Sequence, residues 1–287
     1  VIRRAAACLL LLAAPAHADD EPAGRDFPKT LTLDEPGIDD EVSLPTAIRI
    51  HHAAIGAMRA FTETDLGVEI DKRLTGRLDL QVNGAYSAFD HAGPANGYGW
   101  QNLVLTTKFV ALDDRDTETI ATIGLAREFG RTGAAGVGAA DTGSTTPTLY
   151  AGQGLGAADV SSWLRPVALT ATLGYALPDT VRLARQVQFG ASLQYSLGYL
   201  PALPEAAQKL IPVVELTYAL PAGGPNGADA RRGFVAPGVF YAGDGFQLGI
   251  EALFPLTRAS GGSVGVIAQL NLSFRALGLG ALARPLF

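Results

Sequence analysis

Apolar and polar residues take strict turns along much of this chain. Leu66, Val68 and Ile70 alternate with Asp65, Glu69 and Asp71; four turn-like residues follow, and Leu78, Leu80, Val82 and Tyr86 then oppose Arg77, Asp79, Gln81 and Asn83. A period of two marks a β-strand with two unlike faces. It returns where Val187, Phe189, Leu193 and Tyr195 alternate with Gln186, Gln188, Ser192 and Gln194, and again over residues 246–254 and 264–274. Less regular copies cover residues 101–111, 119–129, 147–156, 166–176, 211–220 and 234–242.

The connections alternate in length. Residues 73–76, 113–116 and 242–245 are short, whereas 88–98, 130–146 and 221–233 are long; 157–164 and 199–209 are intermediate. Outer-membrane barrels keep short turns on the periplasmic side and long loops outside. If 73–76 is periplasmic, an earlier ascending strand is needed, and residues 46–56 supply it. Counting it gives twelve strands with both termini in the periplasm; ten and fourteen are the neighbouring possibilities.

A soluble sandwich or barrel also shows period-2 strands, so the choice of solvent rests on the faces. Charged residues make up only 17% of the chain and apolar ones 48%. Glycine, serine, threonine, glutamine and asparagine dominate the polar faces, and large residues fill the apolar faces over whole strands. Tyr86, Phe109, Tyr175, Phe189, Phe246, Phe254 and Phe274 fall on apolar faces near strand ends, where interfacial girdles sit. The prediction is an all-β fold: a transmembrane, antiparallel, up-and-down β-barrel of about twelve strands.

Residues 1–18 read as a secretory signal peptide, with Arg3 and Arg4 before an apolar run and a small-residue end at Ala16, His17 and Ala18. Its removal takes away Cys8, the only cysteine, so no disulfide or thiol-bound metal is expected. Residues 19–45 carry nine acids against two basic residues, a net of −7 within a chain of net −6. They are expected to form a largely disordered, acidic periplasmic tail, the alternative being a tail that plugs or gates something. Residues 46–287 form the barrel. No basic patch points to nucleic acid.

Placing each polar face inward predicts a lumen lined by Glu63, Asp65, Glu69, Asp71, Arg77, Asp79, Lys108, Glu128, Glu215 and Glu251. Such an acidic wall either favours cations or, through pairing with Arg77 and Lys108, holds a closed interior together. No catalytic or metal-binding set emerges, and no cofactor is expected. His51 and His52 point to opposite faces of one strand, and His91 lies in a predicted loop. Residues 152–156, "GQGLG", lack the following helix of a dinucleotide site, and residues 130–147 lack the Lys-Ser/Thr ending of a phosphate loop. Residues 113–116, "DDRD", read as a polar turn.

The turn Leu74-Thr75-Gly76-Arg77-Leu78 within "FTETDLGVEIDKRLTGRLDLQ", together with the ending "RPLF", resembles a family of bacterial outer-membrane barrel transporters related to those of the phenol-degradation meta-pathway. Gly76 stands where such turns often have Asp. The resemblance covers most of residues 46–287 and implies a barrel that passes small solutes; it carries over no site residues. Phe287 is similar to the terminal aromatic read by barrel-assembly machinery, and Phe274, ending a cleaner strand, is the competing candidate.

The expectation is therefore a non-enzymatic outer-membrane channel for small solutes, acidic inside and cation-preferring. Its partners are membrane lipid, the assembly machinery through the C-terminal strand, and the solutes themselves. The alternatives are a plugged structural or adhesive barrel and an outer-membrane lipid hydrolase.

Overall fold

The computed structural model describes residues 22–25, 27–54, 59–91, 97–139, 141–157, 163–223 and 231–287; the predicted signal segment lies outside them. Alternation across a pleated strand lets one face be greasy and the other wet, and a closed sheet leaves no edge unpaired in lipid. The strands are β1 (Glu41–His52), β2 (Phe61–Arg73), β3 (Leu78–His91), β4 (Gly97–Trp100), β5 (Val104–Asp114), β6 (Thr119–Glu128), β7 (Ser144–Gly154), β8 (Val167–Pro178), β9 (Gln186–Tyr195), β10 (Leu210–Pro221), β11 (Arg232–Gly243), β12 (Phe246–Pro255) and β13 (Gly265–Ser273).

Twelve of these form a closed antiparallel barrel in up-and-down order, sealed where β1 pairs with β13 as well as with β2. The thirteenth, β4, shares one position in the wall. It pairs with the end of β3 from Tyr86–Trp100 to Phe89–Gly97, whereas β5 takes the start of β3 from Leu78–Phe109 to Asn83–Val104. The strand expected over 101–111 thus begins at Val104, and the loop expected over 88–98 holds the end of β3 and the first residues of β4.

β1 also departs from expectation, running from Glu41 to His52 instead of over 46–56. Its register with both neighbours shifts between Ser43 and Thr46, so Leu44 and Pro45 form a bulge, both exposed. Proline has no N–H to give a ladder, and a bulge is where a strand tolerates it.

The faces separate as the pattern requires. Leu66, Ile123, Leu125, Leu149, Leu173, Leu193 and Ile250 are exposed on the outer wall, while Gln81, Thr106, Thr122, Ser192, Gln194, Gln269 and Asn271 are buried inside. An outer belt of large exposed aliphatics is what hydrocarbon solvent selects and water penalises. Phe109, Phe189, Phe246 and Phe254 join it, but Phe274 does not. That ring lies one residue beyond β13 and is buried, its N–H donating to Asp40 O at 2.9 Å.

The larger correction concerns the acidic tail. Residues 27–40 do not hang free: Phe27, Lys29, Thr30, Leu33, Glu35, Ile38 and Asp40 are all buried. Ala23, Phe27 and Ile38 form one apolar cluster with Val110, Ile120 and Ala168 of the inner wall. Four apolar side chains, Phe27, Leu31, Leu33 and Ile38, give the segment something to bury, and the wall supplies partners for its charges.

Candidate functional site: the lumen and its occupant

Most strands turn polar side chains inward, while β10–β13 add an apolar patch of Ile211, Val213, Phe240, Leu253 and Ile267, and the segment preceding β1 uses both as its binding site. It enters at the short-turn end, where Ala23 N donates to Asp113 Oδ1 at 2.6 Å and Arg25 pairs with Glu118 at 3.0 Å. The Arg25 guanidinium also donates to the Arg165 and Pro166 carbonyls, at 3.0 and 2.8 Å. Deeper in, one carboxylate receives the chain. Glu215, fully buried in the middle of β10, accepts from the backbone N–H groups of Leu31, Thr32 and Leu33 at 3.0, 2.8 and 3.1 Å, and from the Thr32 hydroxyl.

From there the segment returns. Asp34 pairs with Lys108 of β5 at 2.6 Å, and Thr122 of β6 donates to Pro36 O at 2.5 Å. Asp40 accepts from Lys72 at 2.5 Å and from Arg73 Nε at 2.8 Å, which brings the chain back to the turn end where β1 begins. Glycines of the inner wall make room for this course. A Cβ on Gly190 would stand 2.0 Å from Leu33 Cδ2, and one on Gly152 would stand 3.0 Å from both Phe27 and Pro36.

Two lysines organise the buried acids. Lys29 Nζ lies 2.8 Å from Glu41, 2.7 Å from Glu69 and 4.0 Å from Glu35, and it also contacts Asp71. Lys108 is completely buried; its Nζ lies 3.3 Å from Glu35 and its backbone N–H donates to Asp79 Oδ1 at 3.1 Å. Within the segment, burial pushes the Asp39 carboxyl up to about 7 and Asp34 up to about 6. Burial acts the same way on Glu35, yet Lys108 and Lys29 outweigh it and hold that carboxyl at about 2.

Of the residues predicted to line the lumen, Asp71, Asp79, Lys108, Glu215 and Glu251 are buried. Glu63, Asp65, Glu69 and Glu128 are half-buried. Arg77 is exposed in the turn before β3 and sits away from this set. Lys108 meets the acids as expected, and Lys29, Lys72 and Arg73 take the place given to Arg77. Lys29, Asp34, Glu35 and Asp40 were not anticipated, because nothing in their own spacing marks them for an inner wall. The signal that existed was the run of apolar residues among the tail's charges.

Toward the long-loop end the lumen opens. Cavities of about 460, 310 and 350 Å³ share Thr32 in their linings and spread from it toward different strands. A fourth, of about 600 Å³, joins the first at Val104 and Glu128. Together they make a vestibule whose floor is residues 31–34. Asp65, Glu69, Asn83, Asn102 and Glu128 line its walls. Asn102 donates to Glu128 at 2.8 Å and Asn83 to Glu69 at 3.3 Å. His52 is paired with Glu63 at 2.7 Å and His51 with Thr62 at 3.3 Å, so both histidines are engaged across β1 and β2.

No family model matches this sequence, and no curated relative does. Solved structures do share the fold. An outer membrane channel from Pseudomonas putida F1 is similar over 82% of this chain and 96% of its own, with a TM-score of 0.57 at 14% identity. The KdgM porin, in complex with disordered oligogalacturonate, is similar over 81% of this chain and 99% of its own, with a TM-score of 0.51 at 9% identity. Both likenesses establish the class: this chain folds as an outer-membrane type of β-barrel.

Proposed function

We propose that this protein is an outer-membrane channel for small solutes whose passage is controlled by residues 27–40 within the lumen. The observation that carries the reading is that the vestibule ends on that segment and not on the barrel wall. A wall cannot move without breaking ladders, whereas the segment is held by side-chain contacts and a few backbone hydrogen bonds. The shared fold with an outer membrane channel and a porin supports the same reading. The belt of exposed aliphatics supports lipid as the surrounding partner. Export by the predicted signal peptide and delivery by the assembly machinery through β13 and the residues after it belong to this reading. The turn over residues 74–78 and terminal Phe287 remain the features relating the chain to the meta-pathway barrels.

Asp65 and Glu128 on the wall of the first cavity give it a negative field, which favours cations over anions there. Purified protein in a planar bilayer is expected to show discrete currents that rise with salt and a reversal potential set by the cation gradient. Asp65→Asn combined with Glu128→Gln lowers that preference. A wild-type protein silent at every voltage would favour the plugged structural barrel. The buried ion pairs of Lys29, Lys108 and Asp40 are the observation that supports this second reading.

A further inference from the structure

The turn-end half of the lumen holds more negative charge than its own cations balance. Around Lys29 stand Glu35, Asp39, Glu41, Glu69 and Asp71; around Lys108 stand Asp34, Asp79 and the shared Glu35. Two ammonium groups thus face seven carboxylates. Charges removed from water are costly unless paired, so such an excess draws in protons or a further cation. Lys72 and Arg73 add two cations beside the cluster but bring an eighth carboxylate, Asp40, to which both are bound, so the excess stands.

The excess has a focus. One carboxylate oxygen each from Glu35, Asp39 and Glu41 lies within 4.8 Å of the other two. Oxygens on opposite sides of one Ca²⁺ ion stand about 4.6–5.2 Å apart, twice the usual metal–oxygen distance. Glu35 spends Oε1 on Lys108 and Lys29, while its Oε2 is buried with no hydrogen-bond partner. Asp71 shows the same division beside them: Oδ2 contacts Lys29 and Oδ1 is buried without a partner. Two buried carboxylate oxygens without a hydrogen-bond partner, one within and one beside a three-carboxylate cluster, call for a cationic partner.

We propose that Glu35, Asp39 and Glu41 bind one hard divalent cation of the Ca²⁺ class, with Asp71 at the edge of its shell. The three ligands lie within a seven-residue stretch that ends on the first residue of β1. The ion therefore ties the returning arm of the lumenal segment to the foot of β1. Lys29 keeps Glu69 and Asp71 and shares Glu41 with the ion, each through one carboxylate oxygen. Binding does not rest on the channel reading; only its effect on current does.

The test is titration of CaCl₂ into the full chain in detergent, followed by calorimetry and by the thermal midpoint. Saturable binding with one ion per chain and a midpoint that rises with Ca²⁺ are expected. Asp39→Asn combined with Glu41→Gln abolishes both responses, while Glu63→Gln, far from the cluster in the vestibule, keeps them. Absence of binding heat together with an unchanged midpoint in the wild type overturns the proposal, as does an undiminished response in the double variant. If the double variant fails to fold, Glu35→Gln alone, expected to weaken binding at least tenfold, decides the matter. In the bilayer, millimolar Ca²⁺ lowers the current in the wild type and not in the variant; a protein that binds Ca²⁺ but never conducts refutes the channel and leaves the site standing.

Discussion

At the scale of single residues, Glu215 does the most with one side chain. It satisfies three consecutive backbone N–H groups and a hydroxyl, all on the lumenal segment. Hydrogen bonds to a buried charge contribute about 1.5–3 kcal/mol each. Glu215→Ala should therefore loosen residues 31–33 by at least about 3 kcal/mol. Single-channel conductance is expected to rise several-fold with the barrel still folded, as read by circular dichroism; an unchanged conductance would mean that these residues are not what limits flow. The inward position of Glu215 followed from its place in a period-2 run. Its partners did not, because a carboxylate's alternation reports which face it occupies and says nothing about what fills the space opposite.

At the scale of elements, the strands were legible and their irregularities were not. Eleven period-2 segments, with the earlier strand that the up-and-down count requires, correspond to twelve wall strands, because lipid outside and a largely polar space inside impose the alternation. The pattern lapses where a ladder is interrupted. Pro45 looked like the end of a tail and instead lies in a bulge within β1, and Gly97–Trp100 looked like loop and instead completes the wall beside β3. The outer faces allow a direct check. Leu125, half exposed in β6, points to lipid, so Leu125→Arg should cost about 2–4 kcal/mol near the bilayer midplane. Urea unfolding from lipid vesicles measures it, and a loss under about 0.5 kcal/mol would place that residue outside the hydrocarbon.

For the molecule as a whole, the docking of the lumenal segment depends on pH in both directions. Asp39 and Asp34 have carboxyls raised by burial, to about 7 and about 6. The docked state therefore holds their protons more tightly than the released state. Their contribution is full at low pH and is lost as pH rises through those values. Glu35, whose carboxyl is held at about 2 against the pull of burial, works in the opposite sense; its contribution is lost as pH falls below the ordinary range toward that value. Docking is thus expected to be strongest near pH 4, with conductance increasing between about pH 4 and 7 in the absence of divalent ions. A flat conductance across that interval would show that these carboxyls do not govern the segment. This balance was invisible in the sequence, where the tail's net charge suggested only repulsion and solvation. What reverses that sign is the pair Lys29 and Lys108, one brought in by the segment and one waiting on the wall.

The course of the lumenal segment has a mechanical consequence. Ala23 and Asp40 are both fastened at the short-turn rim, to Asp113 and to Lys72 and Arg73, so the chain goes in and comes out through the same opening. A loop of this kind is withdrawn the way a folded rope is drawn from a tube, by traction from one side, with nothing threaded and no strand unzipped. Traction at that rim loads the contacts one after another, beginning with Ala23 and Arg25. Pressure from the opposite mouth instead meets the bight of the loop, residues 31–34, and loads all of them at once. The same obstruction is therefore weak toward a pull at the short-turn rim and strong toward a push from the long-loop mouth.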